Sequence, residues 1–129
     1  MTATERIIGR FQKRGIRKGS ELLLSFPESL GFIEACRAEG LVILGIDFWT
    51  RRDDSLVELG GWSADFSPMA KRPDAVAATA KAAEDEIQRW MPDGREYIRS
   101  RLIATPPDVL PDYSSLETAE WASFVVTEY

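Results

Sequence analysis

The sequence predicts an α+β fold in which a mostly antiparallel sheet is built round a central hairpin, about residues 41–66, with two or three helices packed on it. Leu41–Thr50 (LVILGIDFWT) alternates like a strand, and a polar turn joins it to a second strand-like run, Leu56–Phe66 (LVELGGWSADF). Two stretches, 26–39 and about 76–91, carry helical spacing with start or stop signals. No repeat or low-complexity tract interrupts this order. At 129 residues the chain can bury close to two thirds of its unfolded surface, so residues 1–129 are expected to form a single domain without disulfide or metal.

The elements follow from local chemistry. Thr2 and Glu5 have capping-box spacing, and Ile7, Ile8 and Phe11 form one side of a short helix running to about Gly15. Its other side is basic through Arg6, Arg10, Lys13 and Arg17, a face expected to meet water or to neutralise acidic neighbours. Glu21–Ser25 is a short strand. Ser25 and Glu28 repeat the capping pattern, Pro27 sits where its missing N–H does no harm, and Gly40 stops the helix after Leu30, Ile33 and Cys36 have faced the core. On the next strand Val42, Leu44, Ile46, Phe48 and Thr50 are expected to face the core. With Asp53 and Asp54 as the turn, Phe48 opposes Leu59, Trp49 opposes Glu58, Asp47 opposes Gly60 and Gly45 opposes Trp62. That register puts Trp62 on the side of Asp47 and Trp49, unless Gly60 and Gly61 bulge and reverse the phase.

Two prolines and turn formers fill residues 67–75 before the second long helix. There Val76, Ala80, Ala83, Ile87 and Trp90 share one face, while Lys81, Asp85 and Arg89 share the outer one. Residues 96–104 fit a strand slightly better than a helix. From Thr105 onward come five acidic and no basic residues, with three prolines and then a terminal strand at Ser123–Tyr129.

Composition removes whole classes of chemistry. There is no His, so Ser/His/Asp and Cys/His nucleophile systems and His-ligated zinc are excluded. The lone Cys36 allows neither an internal disulfide nor a Cys-cluster metal site. No glycine loop has a phosphate-binding arrangement, and no stretch has the alternating acidic ligands of a calcium loop, so no cofactor or metal is expected. The start of the chain lacks an apolar leader, and its longest apolar run is far short of the roughly 20 residues that cross a bilayer, so a cytoplasmic, membrane-free protein is the expectation. Residues 1–20 carry six basic side chains against Glu5, leaving 10 basic and 20 acidic side chains on the remainder. An acidic body repels nucleic acid and favours a basic protein partner.

The hairpin is where a site is expected. Asp47, Trp49, Glu58, Trp62 and Asp65 bring aromatic and acidic groups to neighbouring positions, as protein interfaces do. Two other readings stay open. Trp49 and Trp62 can be covered by the N-terminal helix or the C-terminal segment, and Asp47, Glu58 and Asp65 can serve a small-ligand site or a carboxylate-dependent enzyme.

One resemblance sharpens the choice. Leu44, Gly45 and Asp47 followed by Phe48 and Trp49, a polar turn, Trp62 on the next strand, and later Arg95, Glu96, Tyr97 and Ile98 make the chain resemble, over about residues 27–99, a family of small alpha/beta bacterial immunity proteins with a Leu-Gly-x-Asp strand motif. Those proteins neutralise toxins of polymorphic toxin systems. The resemblance implies a non-enzymatic protein that binds a cognate toxin, expected to present a basic surface.

Overall fold

The computed structural model describes residues 1–91, 94, 96–98 and 118–129. Its elements are α1 (Ala3–Phe11), β1 (Ile16–Lys18), β2 (Glu21–Ser25), α2 (Phe26–Glu39), β3 (Leu41–Arg52), β4 (Ser55–Glu58), β5 (Ala64–Asp65), α3 (Ala75–Trp90) and β6 (Trp121–Glu128). The sheet runs β1-β2-β6-β3-β4, with β5 also on β3, and every pairing is antiparallel. This is the α+β fold that the sequence predicts. Among the described residues no helix is long and apolar enough to cross a membrane.

The capping reasoning holds at atomic detail. Thr2 Oγ1 accepts from the Glu5 N–H at 3.1 Å, and Ser25 Oγ accepts from the Glu28 N–H at 3.4 Å. Gly40, with φ of 74°, adopts the left-handed conformation that ends α2. From the basic face of α1, Arg6 pairs with Glu39 of α2 at 3.2 Å, and Arg14, just beyond α1, pairs with Glu28 at 3.6 Å. On α3, Lys81 and Asp85 pair at 2.9 Å one turn apart.

The helices cover one face of the sheet. That face contributes Leu22 and Leu24 from β2, Leu41, Ile43, Ile46 and Phe48 from β3, and Ala122 from β6 to one core with Ile7, Phe11, Phe32, Ile33, Cys36, Ala80, Ala83, Ile87 and Trp90. Burial pushes the Cys36 thiol up to about 12, which leaves it a packing group rather than a nucleophile.

Four expectations are corrected. First, the even positions of β3 do not all face the core. β6 pairs Ile43 with Val126 but Gly45 with Val125, so Leu44 is an extra residue in a bulge. Leu41 and Ile43 therefore face the helices before the bulge, and Ile46 and Phe48 after it. The Ile43 N–H donates to Thr79 Oγ1 of α3 at 3.1 Å, which satisfies a buried donor beside the irregularity.

Second, residues 56–66 are not one strand. Arg52–Ser55, Arg51–Leu56, Thr50–Val57 and Trp49–Glu58 pair as the turn dictates, and the Leu59 N–H reaches Phe48 O at 2.7 Å. Gly60–Trp62 then forms a 3₁₀ turn, and β5 re-enters with Ala64 opposite Ile46 and Asp65 opposite Gly45. The expected Gly45–Trp62 and Asp47–Gly60 pairs do not form. Third, residues 96–98 are helical rather than extended, and 99–104 lie outside the described residues, as does most of the expected proline-bearing connection. Fourth, β1 has no counterpart in the sequence reading. Its three residues pair with β2, Ile16 opposite Leu23, and carry too little pattern to be read alone.

β6 lies along β3 from Leu41 to Trp49, opposite the flank that β4 and β5 share.

Candidate functional site

Gly45, Asp47 and Trp49 lie on the sheet face away from the helices, because they alternate with Ile46 and Phe48. Their partners bring further groups to that face. Asp65 stands opposite Gly45, and Glu58 opposite Trp49. Asp65, Asp47 and Glu58 thus descend one flank of β3 in rows about 7 Å apart. A Cβ on Gly45 would stand 2.8 Å from Ala64 O, so the close approach of β5 that positions Asp65 depends on glycine there.

Each carboxylate is held differently. The Ser63 hydroxyl donates to Asp47 Oδ1 at 2.8 Å, and the Ser67 N–H donates to Asp65 Oδ1 at 2.9 Å. The Ser67 contacts hold the Asp65 carboxyl below its ordinary range. Glu58 moves the other way. Desolvation, then the charge of Asp47 and a side-chain hydrogen bond with it, and finally Glu21 raise its carboxyl. Glu21 comes near because the β1–β2 hairpin reaches across to β4, where Lys18 Nζ donates to Leu56 O.

Between β5 and β6 this face opens as a groove of about 320 Å³. Asp47 and Asp65 line it with Ser63 and Ser67, its apolar side chains are Leu44 and Val125, and Gly45, Ile46 and Ala64, the last two with side chains turned to the core, complete the lining. Val125 is 48% exposed. No basic side chain is among the groove's described lining residues.

The two tryptophans part company. Trp49 stays on the face of Asp47, yet it is only 8% exposed, and its Nε1 donates to Ser123 Oγ at 3.0 Å. Its cross-strand partner is Trp121 on β6, with the Arg51 guanidinium 5.6 Å from the Trp121 ring centroid. It is therefore not an open interface anchor. Trp62 leaves the face altogether. The 3₁₀ turn carries its ring to the helix side, 5.5 Å from Trp90 and 5.6 Å from Tyr97, both edge-on. Trp90 lies a further 5.3 Å from Phe48, so Trp62 closes an aromatic cluster of the core.

Of the five expected site residues, Asp47, Glu58 and Asp65 thus share one surface, Trp49 supports it from within, and Trp62 does not take part. Among the described residues, no three His, Cys, Asp or Glu side chains come together in a way that could hold a metal ion. Sequence reasoning missed Ser63, Ser67 and Val125. An Asp-x-Ser spacing at Asp65–Ser67 is a readable turn signal, whereas Val125 reaches the groove through a strand pairing about 80 residues away in sequence, which local pattern does not encode.

No family model, curated protein or solved structure matches the chain.

Proposed function

We propose that the chain is an immunity protein that binds and neutralises a cognate bacterial toxin in the cytoplasm, acting through a protein–protein interface and without catalysis. The observation that carries this reading is the open acidic groove. Two carboxylates line it, a third stands beside it, and no cation among its described lining residues neutralises them. A convergent negative surface of this kind attracts a basic protein and disfavours nucleic acid. The resemblance over residues 27–99 names the class of partner.

The rival reading, a carboxylate-dependent enzyme or small-ligand site at Asp47, Glu58 and Asp65, draws support from the Asp47–Glu58 pair and its raised carboxyl. Against it, Glu58 is exposed and lies outside the groove's described lining residues, so it does not share a water-excluding pocket with Asp47 and Asp65.

Co-expression with candidate toxins encoded beside its gene tests the proposal. Growth should be rescued, and the purified pair should associate at a rate that falls as salt rises, because screening over about 8 Å at physiological ionic strength weakens the attraction. Failure to rescue growth or to form a complex would remove the immunity reading. Association indifferent to salt would remove its electrostatic basis.

A further inference from the structure

We infer that the groove between β5 and β6 receives an arginine side chain of a partner protein, with the apolar walls holding its methylene stem and Asp47 and Asp65 holding its guanidinium. This rests on the reading that the open face meets a basic protein, and it names the chemistry of that contact.

The lining selects the occupant. Leu44 and Val125 offer carbon to a ligand over the bare backbone of Gly45, so the groove does not suit a hydrated metal ion, which needs oxygen ligands on several sides. The charged groups are two carboxylates in rows about 7 Å apart along the strand. A ligand apolar along its length and cationic at its tip matches both features, as long basic side chains do when their stems are buried. Between the two such residues, the planar guanidinium presents five donors that can engage carboxylates on different sides, whereas an ammonium is a compact point charge.

The carboxylates are also preset. Ser63 and Ser67 each hold one oxygen, which orients the acids before a ligand arrives. Asp47 lies beside Glu58, and an incoming cation relieves the repulsion between them.

The test uses the full chain, ¹⁵N-labelled, titrated with a blocked pentapeptide containing one arginine and with its citrulline counterpart, which keeps the shape and removes the charge. The arginine peptide should produce saturable shifts at the amides of Gly45, Ser63, Ala64, Ser67 and Val125. The citrulline peptide should bind about ten-fold more weakly or worse, as expected for loss of charge-assisted hydrogen bonds. Asp65→Asn keeps an acceptor for the Ser67 N–H, and Asp47→Asn keeps one for the Ser63 hydroxyl, so each should preserve the spectrum elsewhere while weakening arginine binding by a similar factor. Equal binding of the two peptides, or shifts confined to other acidic surfaces such as Asp53 and Asp54, would overturn the inference. Neutralisation of a toxin at unchanged affinity by the Asp47→Asn, Asp65→Asn double variant would overturn the groove and leave the immunity reading standing. Arginine binding without neutralisation of any toxin would support the groove and count against the immunity reading.

Discussion

Along β3, the segment Trp49–Arg52 meets β4 in the register set by the Asp53–Asp54 turn, while Gly45, which that register would place against Trp62, meets Asp65 instead. The two segments belong to one strand and differ in what their partner can do. Beside Trp49 the partner is a continuous pleat, so each pair fixes the next. Beyond Leu59 it leaves the ladder in a 3₁₀ turn at Gly60–Trp62, where a Cβ on either glycine would meet nothing, so the turn does not depend on glycine there. What draws the chain off the ladder there is Trp62, whose burial against Trp90 and Tyr97 replaces the lost pairings. Register thus propagates along a hairpin only until a side chain finds a better place to be buried. The acidic surface is a product of that break, because the excursion is what carries Asp65 to Gly45.

Substituting Trp49 should have the largest effect. Trp49→Ala should cost about 3–5 kcal/mol of stability by chemical denaturation, because it removes a buried ring and leaves Ser123 without its donor. Hydrogen exchange should accelerate throughout the sheet. A loss of partner binding with little loss of stability would instead return Trp49 to the role of surface anchor.

Trp62→Ala should cost less, about 2–3 kcal/mol, since the ring is only half-buried. Its effect should also be local. The Phe66 N–H, which donates to Leu44 O at 2.8 Å, should exchange much faster, while the Leu59 N–H, on Phe48 O at 2.7 Å, should change little. Equal acceleration of the two amides would show that both segments depend on Trp62 and would erase the contrast between them.

The smallest effect concerns the acids. The Glu58 carboxyl is raised in the folded chain, so between its unfolded and folded values the native state holds more protons than the unfolded state. Stability should therefore fall as pH rises through that window. Asp47→Asn should flatten this dependence and raise neutral-pH stability by well under 1 kcal/mol, because Glu58 is exposed, Asp47 is only half-buried and solvent screens the pair. Melting curves from about pH 4 to 7 check the sign. A variant less stable than the parent at neutral pH would mean that the negative charge of Asp47 strengthens its hydrogen bond from Ser63 by more than it repels Glu58.

Much of the molecule is determined locally and is legible without the fold. The caps at Thr2 and Ser25, the Gly40 stop, the Asp53–Asp54 turn and the pairing that it sets from Arg52 to Phe48 each depend on residues a few positions apart, whose backbone hydrogen bonds and allowed angles have the same solutions in any context. Asp47 and Glu58 are readable in the same way, as near neighbours in the register that the turn sets, whereas Asp65 reaches Gly45 only through the break after Leu59. Only the tertiary structure decided which face each aromatic takes, where β3 bulges and what encloses the groove. Those outcomes are settled by β6 lying along β3, by Thr79 meeting the Ile43 N–H, and by Trp90 offering Trp62 a place in the core. Apolar spacing reports that a residue is buried but not by what, and a bulge is defined by a partner strand whose register no local pattern specifies.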